Sequence, residues 1–149
     1  MRRFVWILVA ACGGTQDTTI DITHDPCAGV ALDGGTTEIQ RGGLDAALRL
    51  WRDGGVALDR AEPATISVLF QPASQAFRGL YDDERGIILV NDSIEEPAPL
   101  AIVIAHELGH AFGLPHVTDR PSLMNPANLT QPPTDEDRHA VEELWGRCD

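Results

Sequence analysis

The chain has 149 residues, of which 43% are hydrophobic and 23% are charged, so it is long enough for one domain with an apolar core and too apolar for wholesale disorder. Its 23 acidic and 11 basic residues give a formal net charge of −12, and every basic residue is an arginine. Nucleic-acid binding needs a basic surface, so the composition argues against nucleic acid as a partner and against electrostatic attachment to an anionic membrane.

The chain begins with a basic and then apolar segment that is typical of export signals. The apolar run 4–11 follows two arginines and is too short for a membrane-spanning helix. Small residues before Cys12 resemble the end of a bacterial lipoprotein signal. We therefore expect a signal peptide over 1–11, lipidation at Cys12, and an outer-membrane lipoprotein of the cell envelope whose lipid is its only membrane contact. Ordinary cleavage with secretion, or a buried N-terminal strand, are the alternatives.

Two further cysteines, Cys27 and Cys148, lie near opposite ends of the exported chain. An even number of cysteines in an oxidising compartment favours a disulfide, which here would tie the two termini together. The alternative is a pair of free thiols. Residues 12–27 are rich in Thr, Asp and Gly and lack apolar periodicity, which predicts a tether ahead of a domain over 28–149.

The rest of the chain alternates strand-like and helix-like segments. Strands are predicted where short apolar runs lie between turn residues: 28–32, 56–58, 65–70, 77–81 and 86–90. Helices are predicted where apolar residues recur at helical spacing: 41–52, 100–112 and 134–145. The mixture indicates an α+β or α/β fold rather than an all-helical one.

The strongest chemical signal lies in the second predicted helix, where His106 and His110 stand four residues apart. Side chains at this spacing share one face of a helix, so both imidazoles can bind one metal ion. Glu107 lies about 100° around the helix and can reach a water on that metal without binding the metal itself. Gly113 can adopt a left-handed conformation that returns His116 as a third ligand. Three protein ligands leave a fourth position open, which is typical of catalytic zinc.

Two segments carry a family resemblance. Residues 106–116 resemble the zinc motif of the metzincin metallopeptidases, and Ser-Leu-Met-Asn-Pro at 122–126 resembles their Met-turn. The spacing of Asp119 and Met124 is similar to that of the matrixins, the matrix-metalloprotease-like branch. The resemblance covers about residues 28–146, with specific motifs only in the second half.

The resemblance implies an α+β, α/β-like fold of the metzincin or zincin-like type. Such a fold has a twisted, mostly parallel sheet of about five strands, an active-site helix, and a small C-terminal subdomain that ends in a helix. Leu80 would lie on an antiparallel edge strand, along which a protein or peptide substrate would bind in extended conformation. Residues 126–131 would line the specificity pocket of a monomeric enzyme.

The resemblance also implies the function. His106, His110 and His116 would bind one catalytic zinc ion, with Met124 as the hydrophobic floor beneath the metal. Glu107 would activate the zinc-bound water and then act as proton donor, which makes the protein a zinc metalloendopeptidase, a hydrolase that cuts peptide bonds of proteins.

Two other interpretations remain open. The turn Asp82-Asp83-Glu84 offers oxygen ligands for calcium, although a solvated turn is the simpler interpretation. The protein could also be a noncatalytic zinc-containing envelope lipoprotein that binds peptides or a partner protein, or an enzyme restricted to one partner. Retention of Glu107 favours the enzyme, because a purely structural zinc site does not need a base.

Overall fold

The computed structural model describes residues 19–56, 58 and 63–148. The predicted signal peptide over 1–11 and the lipidation site at Cys12 lie outside these residues. Among the helices of the described ranges, none combines the length and the apolar composition needed to cross a membrane.

A mixed sheet of four strands forms one layer of the fold. The strands are β1 (Val30–Gly34), β2 (Ala64–Gln71), β3 (Gly79–Asp82) and β4 (Ile87–Asn91). They lie in the order β1-β2-β4-β3, with β1, β2 and β4 parallel and β3 antiparallel to β4. The predicted fold class is confirmed, and Leu80 lies on the antiparallel edge strand as expected.

Three α-helices accompany the sheet in the described residues: α1 (Glu38–Asp53), α2 (Pro97–Ala111) and α3 (Asp135–Trp145). Helix α1 begins before the predicted 41 because Thr37 and Gln40 form a capping box, each side chain accepting a backbone N–H of the other. Helix α2 begins at Pro97 rather than at 100, since the first turn of a helix tolerates proline.

Position 57 of the predicted strand 56–58 lies outside the described residues, and Val56 and Leu58 are not part of the sheet, so the described residues contain four strands where about five were expected. Val56 and Leu58 are buried. The Val56 N–H donates to the Trp51 carbonyl at 3.1 Å, and the Leu58 carbonyl accepts from the Val30 N–H at 3.3 Å. Both residues lie in the core without joining the sheet, and apolar composition alone does not separate such residues from those of a buried strand.

The core holds the histidine-bearing half of α2 between α1 and the sheet. Helix α2 is buried along nearly its whole length. The Trp51 indole N–H, at the end of α1, donates to the Ala105 carbonyl at 2.9 Å. The Trp51 ring also packs edge-on against Phe112, with ring centroids 5.4 Å apart. Helix α1 therefore holds α2 in place directly beside His106.

The described end of the predicted tether is docked on the domain. The His24 N–H donates to the Ala111 carbonyl at 2.7 Å, and the Tyr81 hydroxyl donates to the Ile22 carbonyl at 2.9 Å. The Ile22 N–H donates in turn to the Asp83 carbonyl at 3.1 Å. The tether prediction is wrong for 19–27. The bonds to the domain are made by backbone N–H and C=O groups, and every residue carries these groups whatever its side chain. A polar composition therefore does not show whether such a segment bonds to water or to the domain.

A disulfide joins Cys27 to Cys148, with Cα atoms 4.8 Å apart. It links the docked segment to the end of the chain that follows α3. Cys27 lies in a short 3₁₀ turn, Pro26–Ala28, capped by the Asp25 side chain. This turn delays the start of β1 from the predicted 28 to Val30.

Candidate metal centre

Three histidines converge at the end of α2. His106 and His110 share a helix face, and Gly113 adopts φ +97°, a left-handed conformation that side-chain-bearing residues rarely take. The chain then returns His116, whose Nε2 atom lies 3.2 Å from Nε2 of His106 and 3.2 Å from Nε2 of His110. One ligand atom from each histidine lies within 4.8 Å of the others. The structure thus brings together the three residues that the sequence singled out.

Backbone carbonyls decide which ring nitrogen carries the proton. Nδ1 of His106 lies 2.8 Å from the Leu123 carbonyl oxygen, and Nδ1 of His110 lies 2.8 Å from that of Leu114. A carbonyl oxygen can only accept a hydrogen bond, so both Nδ1 atoms must be donors. In each neutral ring this tautomer leaves the Nε2 lone pair free and directed at the other histidines.

The charge state and spacing of these nitrogens fit a zinc ion. Burial lowers the pKa of His106 to about 4 and that of His110 to about 3, so both rings are neutral at pH 7 and their lone pairs face one another. A cation removes the repulsion. Two nitrogens bound to tetrahedral zinc at about 2.0–2.1 Å stand about 3.3 Å apart, close to the observed 3.2 Å.

Glu107 lies beside the histidines and faces the edge strand. Its side chain is buried, with 6% of the residue exposed, and Oε2 accepts the Tyr81 N–H at 2.8 Å. Burial raises the pKa of Glu107 to about 8, against the opposing effect of the Tyr81 hydrogen bond. Gly79 permits the close approach, since a Cβ atom there would lie 3.0 Å from Oε1 of Glu107. The sequence did not predict these roles of Gly79 and Tyr81. A glycine in a strand can indicate that another part of the chain approaches the backbone closely, and this was the one available signal.

Comparison with known proteins identifies the family. The matrixin family profile matches residues 33–146, which include all three histidines and Glu107. The chain belongs to the matrixin family. Its resemblance to matrixins is thereby confirmed, and the family is one of zinc metallopeptidases.

Two curated relatives are similar to parts of this matrixin. A segment of 51 residues, 32% of the chain, is 41% identical to human matrix metalloproteinase-21. A segment of 71 residues, 45% of the chain, is 38% identical to mouse matrix metalloproteinase-21. The aligned segments span only 9% and 12% of these two relatives, so the likeness concerns a small part of their length.

The matrixin's methionine packs against the helix that carries the histidines. Met124 is buried, and a Cβ atom added to Gly109 would overlap its Sδ atom. The same Cβ atom would lie 3.3 Å from Cζ2 of Trp51. Gly109 therefore lets the sulfur and the indole approach α2 next to the face that carries His106 and His110.

Asp137 anchors the Met-turn of the matrixin from helix α3. Asp137 is 1% exposed, and its carboxylate accepts three hydrogen bonds, from Ser122 Oγ at 2.5 Å, from the Leu123 N–H at 2.9 Å and from the Thr134 N–H at 2.9 Å. Ser122 Oγ in turn accepts the Met124 N–H at 2.9 Å. The carboxylate thus caps α3 and fixes the turn whose carbonyl orients His106.

The acidic turn does not gather its carboxylates around one point. Asp82 pairs with Arg85 at 2.5 Å, and hydrogen bonding to Arg85 lowers the pKa of Asp82. The Asp83 carboxylate accepts the Asp21 N–H at 2.9 Å. Within the described part of the chain, the three histidines are the one cluster of three or more His, Cys, Asp or Glu side chains that could hold a metal. Calcium binding by Asp82, Asp83 and Glu84 therefore stays unsupported.

Proposed function

We propose that this matrixin is a zinc-dependent endopeptidase in which His106, His110 and His116 hold one zinc ion and Glu107 is the general base. The observation that carries the proposal is the convergence of three imidazole Nε2 atoms beside a buried carboxyl group. Zinc bound there would supply Lewis-acid chemistry, lowering the pKa of a water towards about 7 and polarising the carbonyl of the peptide bond to be cut.

Glu107 moves the proton in this proposal. Its carboxylate takes a proton from the attacking water and later donates it to the amine of the departing product. Burial raises the pKa of Glu107 to about 8 in the metal-free protein, which favours the protonated acid that the second step needs, and the charge of a zinc ion would favour the carboxylate that the first step needs. The Tyr81 N–H, at 2.8 Å, keeps the carboxylate oriented throughout.

The substrate would be a protein or peptide in extended conformation. Among the described strands β3 pairs with β4 alone, so its other side is an edge of the sheet beside Glu107. An extended peptide can add to such an edge through main-chain hydrogen bonds. Leu80, on this strand, is 46% exposed and would contact the peptide.

The location proposed for the enzyme is the cell envelope, with lipid on Cys12 as the membrane anchor and secretion as the alternative. The apolar run before Cys12 supports export. The disulfide between Cys27 and Cys148 also supports it, because such bonds persist in oxidising compartments.

Cleavage of an unfolded protein such as casein tests the proposal. The purified zinc-loaded chain is compared with its Glu107→Gln variant, which keeps the size of the side chain and removes the base. We expect cleavage by the parent, loss of cleavage with a chelator, and a fall of about 10²–10⁴-fold in the variant.

Zinc content is the control, since both proteins should bind one zinc ion. Equal cleavage by parent and variant would contradict the role of Glu107. One zinc in both without cleavage of any of several unfolded proteins would favour the noncatalytic binding lipoprotein.

A further inference from the structure

Asn128 shares a hydrogen-bond acceptor with a proposed metal ligand. Its Nδ2 group donates to the Leu123 carbonyl at 3.0 Å and to the Gln131 carbonyl at 2.7 Å. The same Leu123 oxygen accepts Nδ1–H of His106 at 2.8 Å. A carbonyl oxygen has two lone pairs, so both donors are satisfied at once.

The remaining bonds of Asn128 close the loop that follows the Met-turn. Its Oδ1 atom accepts the Thr130 N–H at 3.1 Å and the Gln131 N–H at 2.8 Å. Ala127, just before it, has φ +55°, a conformation that side-chain-bearing residues seldom adopt without support. Of the hydrogen bonds that the Asn128 side chain makes, the one to the Leu123 carbonyl is therefore the one that links this loop to His106.

The Leu123–Met124 peptide group is held on both sides. Its N–H, from Met124, donates to Ser122 Oγ at 2.9 Å, and its oxygen lies between His106 and Asn128. The orientation of this peptide plane sets the direction of the His106 ring. Without Asn128, the oxygen would keep one donor and the plane would lose one of its three restraints.

We propose that Asn128 is a positioning residue for His106: its amide fixes the Leu123 carbonyl, which in turn aims Nε2 of His106 at the metal. The proposal rests on the proposed zinc site and adds a residue that acts through the carbonyl alone. Groups that orient metal ligands typically change metal affinity about 10–100-fold. Since Asn128 acts one step further out, we expect the lower end of that range.

Two variants separate the orienting bond from loop closure. Asn128→Leu keeps the size of the side chain without any hydrogen bond, and Asn128→Asp keeps the acceptor for the two loop N–H groups while it loses the donor. Asn91→Asp is the matched control: the buried Asn91 amide donates to the Ser74 and Phe77 carbonyls at 3.0 and 2.9 Å, and so clamps a different loop.

The measurements are zinc affinity of the full chain by competition with a chromophoric chelator and the visible spectrum of the cobalt-substituted protein. We expect both Asn128 variants to bind zinc about 10-fold more weakly and to change the cobalt spectrum. The Asn91→Asp protein should stay within about twofold of the parent, although its thermal stability falls.

Unchanged zinc affinity and cobalt spectrum in the Asn128→Asp protein would overturn the proposal and leave Asn128 a loop clamp. Equal weakening by Asn91→Asp would overturn it as well, because any destabilised loop would then have the same effect. A parent that binds no zinc would overturn the proposed function together with this inference. If the parent binds zinc and cleaves casein, the proposed function stands, and the result with the two variants then supports or overturns the inference on Asn128 alone.

Discussion

Substitution of Gly109 by alanine sets two known effects against each other within one helix. Alanine is favoured over glycine in a helix interior by about 1 kcal/mol, which by itself would stabilise the protein. A Cβ atom at Gly109, however, would overlap Sδ of Met124 and lie 3.3 Å from Cζ2 of Trp51. Both neighbours are buried, so neither can swing into solvent to make room.

The packing effect should win. Extra methyl groups in a filled core cost about 1–3 kcal/mol, so the net change for Gly109→Ala is a destabilisation of up to about 2 kcal/mol. Gly42, in the interior of α1, is the matched control, since a Cβ atom there would meet nothing within 4 Å. Gly42→Ala should therefore raise the free energy of unfolding by about 1 kcal/mol, and the two variants should differ by about 1–3 kcal/mol.

Urea denaturation of the metal-free proteins measures this difference, because bound zinc would add its own contribution to stability. The urea midpoints can be compared if the slope of unfolding free energy against urea concentration is the same in both variants, because an equal slope shows that unfolding exposes the same amount of surface. If Gly109→Ala stabilises the protein as much as Gly42→Ala does, then Met124 does not pack against α2 as described. The methionine would then have no place in the floor of the metal site.

Three further results are expected. Asp137→Ala leaves three donors without their acceptor and should lower the free energy of unfolding by about 3–5 kcal/mol in urea, whereas a loss below about 1 kcal/mol would contradict the buried network. Burial holds the pKa of His106 near 4 in the folded protein, so as the pH falls this histidine binds a proton in the unfolded chain before it does in the folded one. The thermal midpoint of the metal-free protein should therefore fall as pH drops from about 6.5 towards 4, and a level profile would refute this. Replacing Cys27 and Cys148 by serine should lower stability by about 2–5 kcal/mol, as judged by urea midpoints beside the oxidised parent.

The metal site shows what local sequence can predict. His106 and His110 lie on one face because helix geometry places every fourth residue there, and Gly113 reverses the chain because glycine alone adopts its φ of +97° without strain. These relations span at most ten residues, from His106 to His116. Motif spacing is therefore enough to predict the cluster without knowledge of any tertiary contact.

Element boundaries and the weaker segments were predicted less well. The capping box of Thr37 extends α1, and the apolar residues Val56 and Leu58 lie in the core without joining the sheet. Residues 19–27 docked on the domain through backbone hydrogen bonds. Each error arose because composition records whether a segment is apolar, whereas its hydrogen-bond partners decide its structure.

The fold class, the three histidines and the acid beside them can be predicted from the sequence alone, since each depends on periodicity or on short spacing along the chain. Three contacts are visible only in the folded chain. The Tyr81 N–H donates to Glu107, and Asp137 anchors the Met-turn. The Asn128 amide donates to the Leu123 carbonyl that also accepts from His106. These contacts join residues from separate strands, loops and helices. Their physical basis is a hydrogen bond whose partner exists only after the elements have packed, and no local pattern encodes which partner that will be.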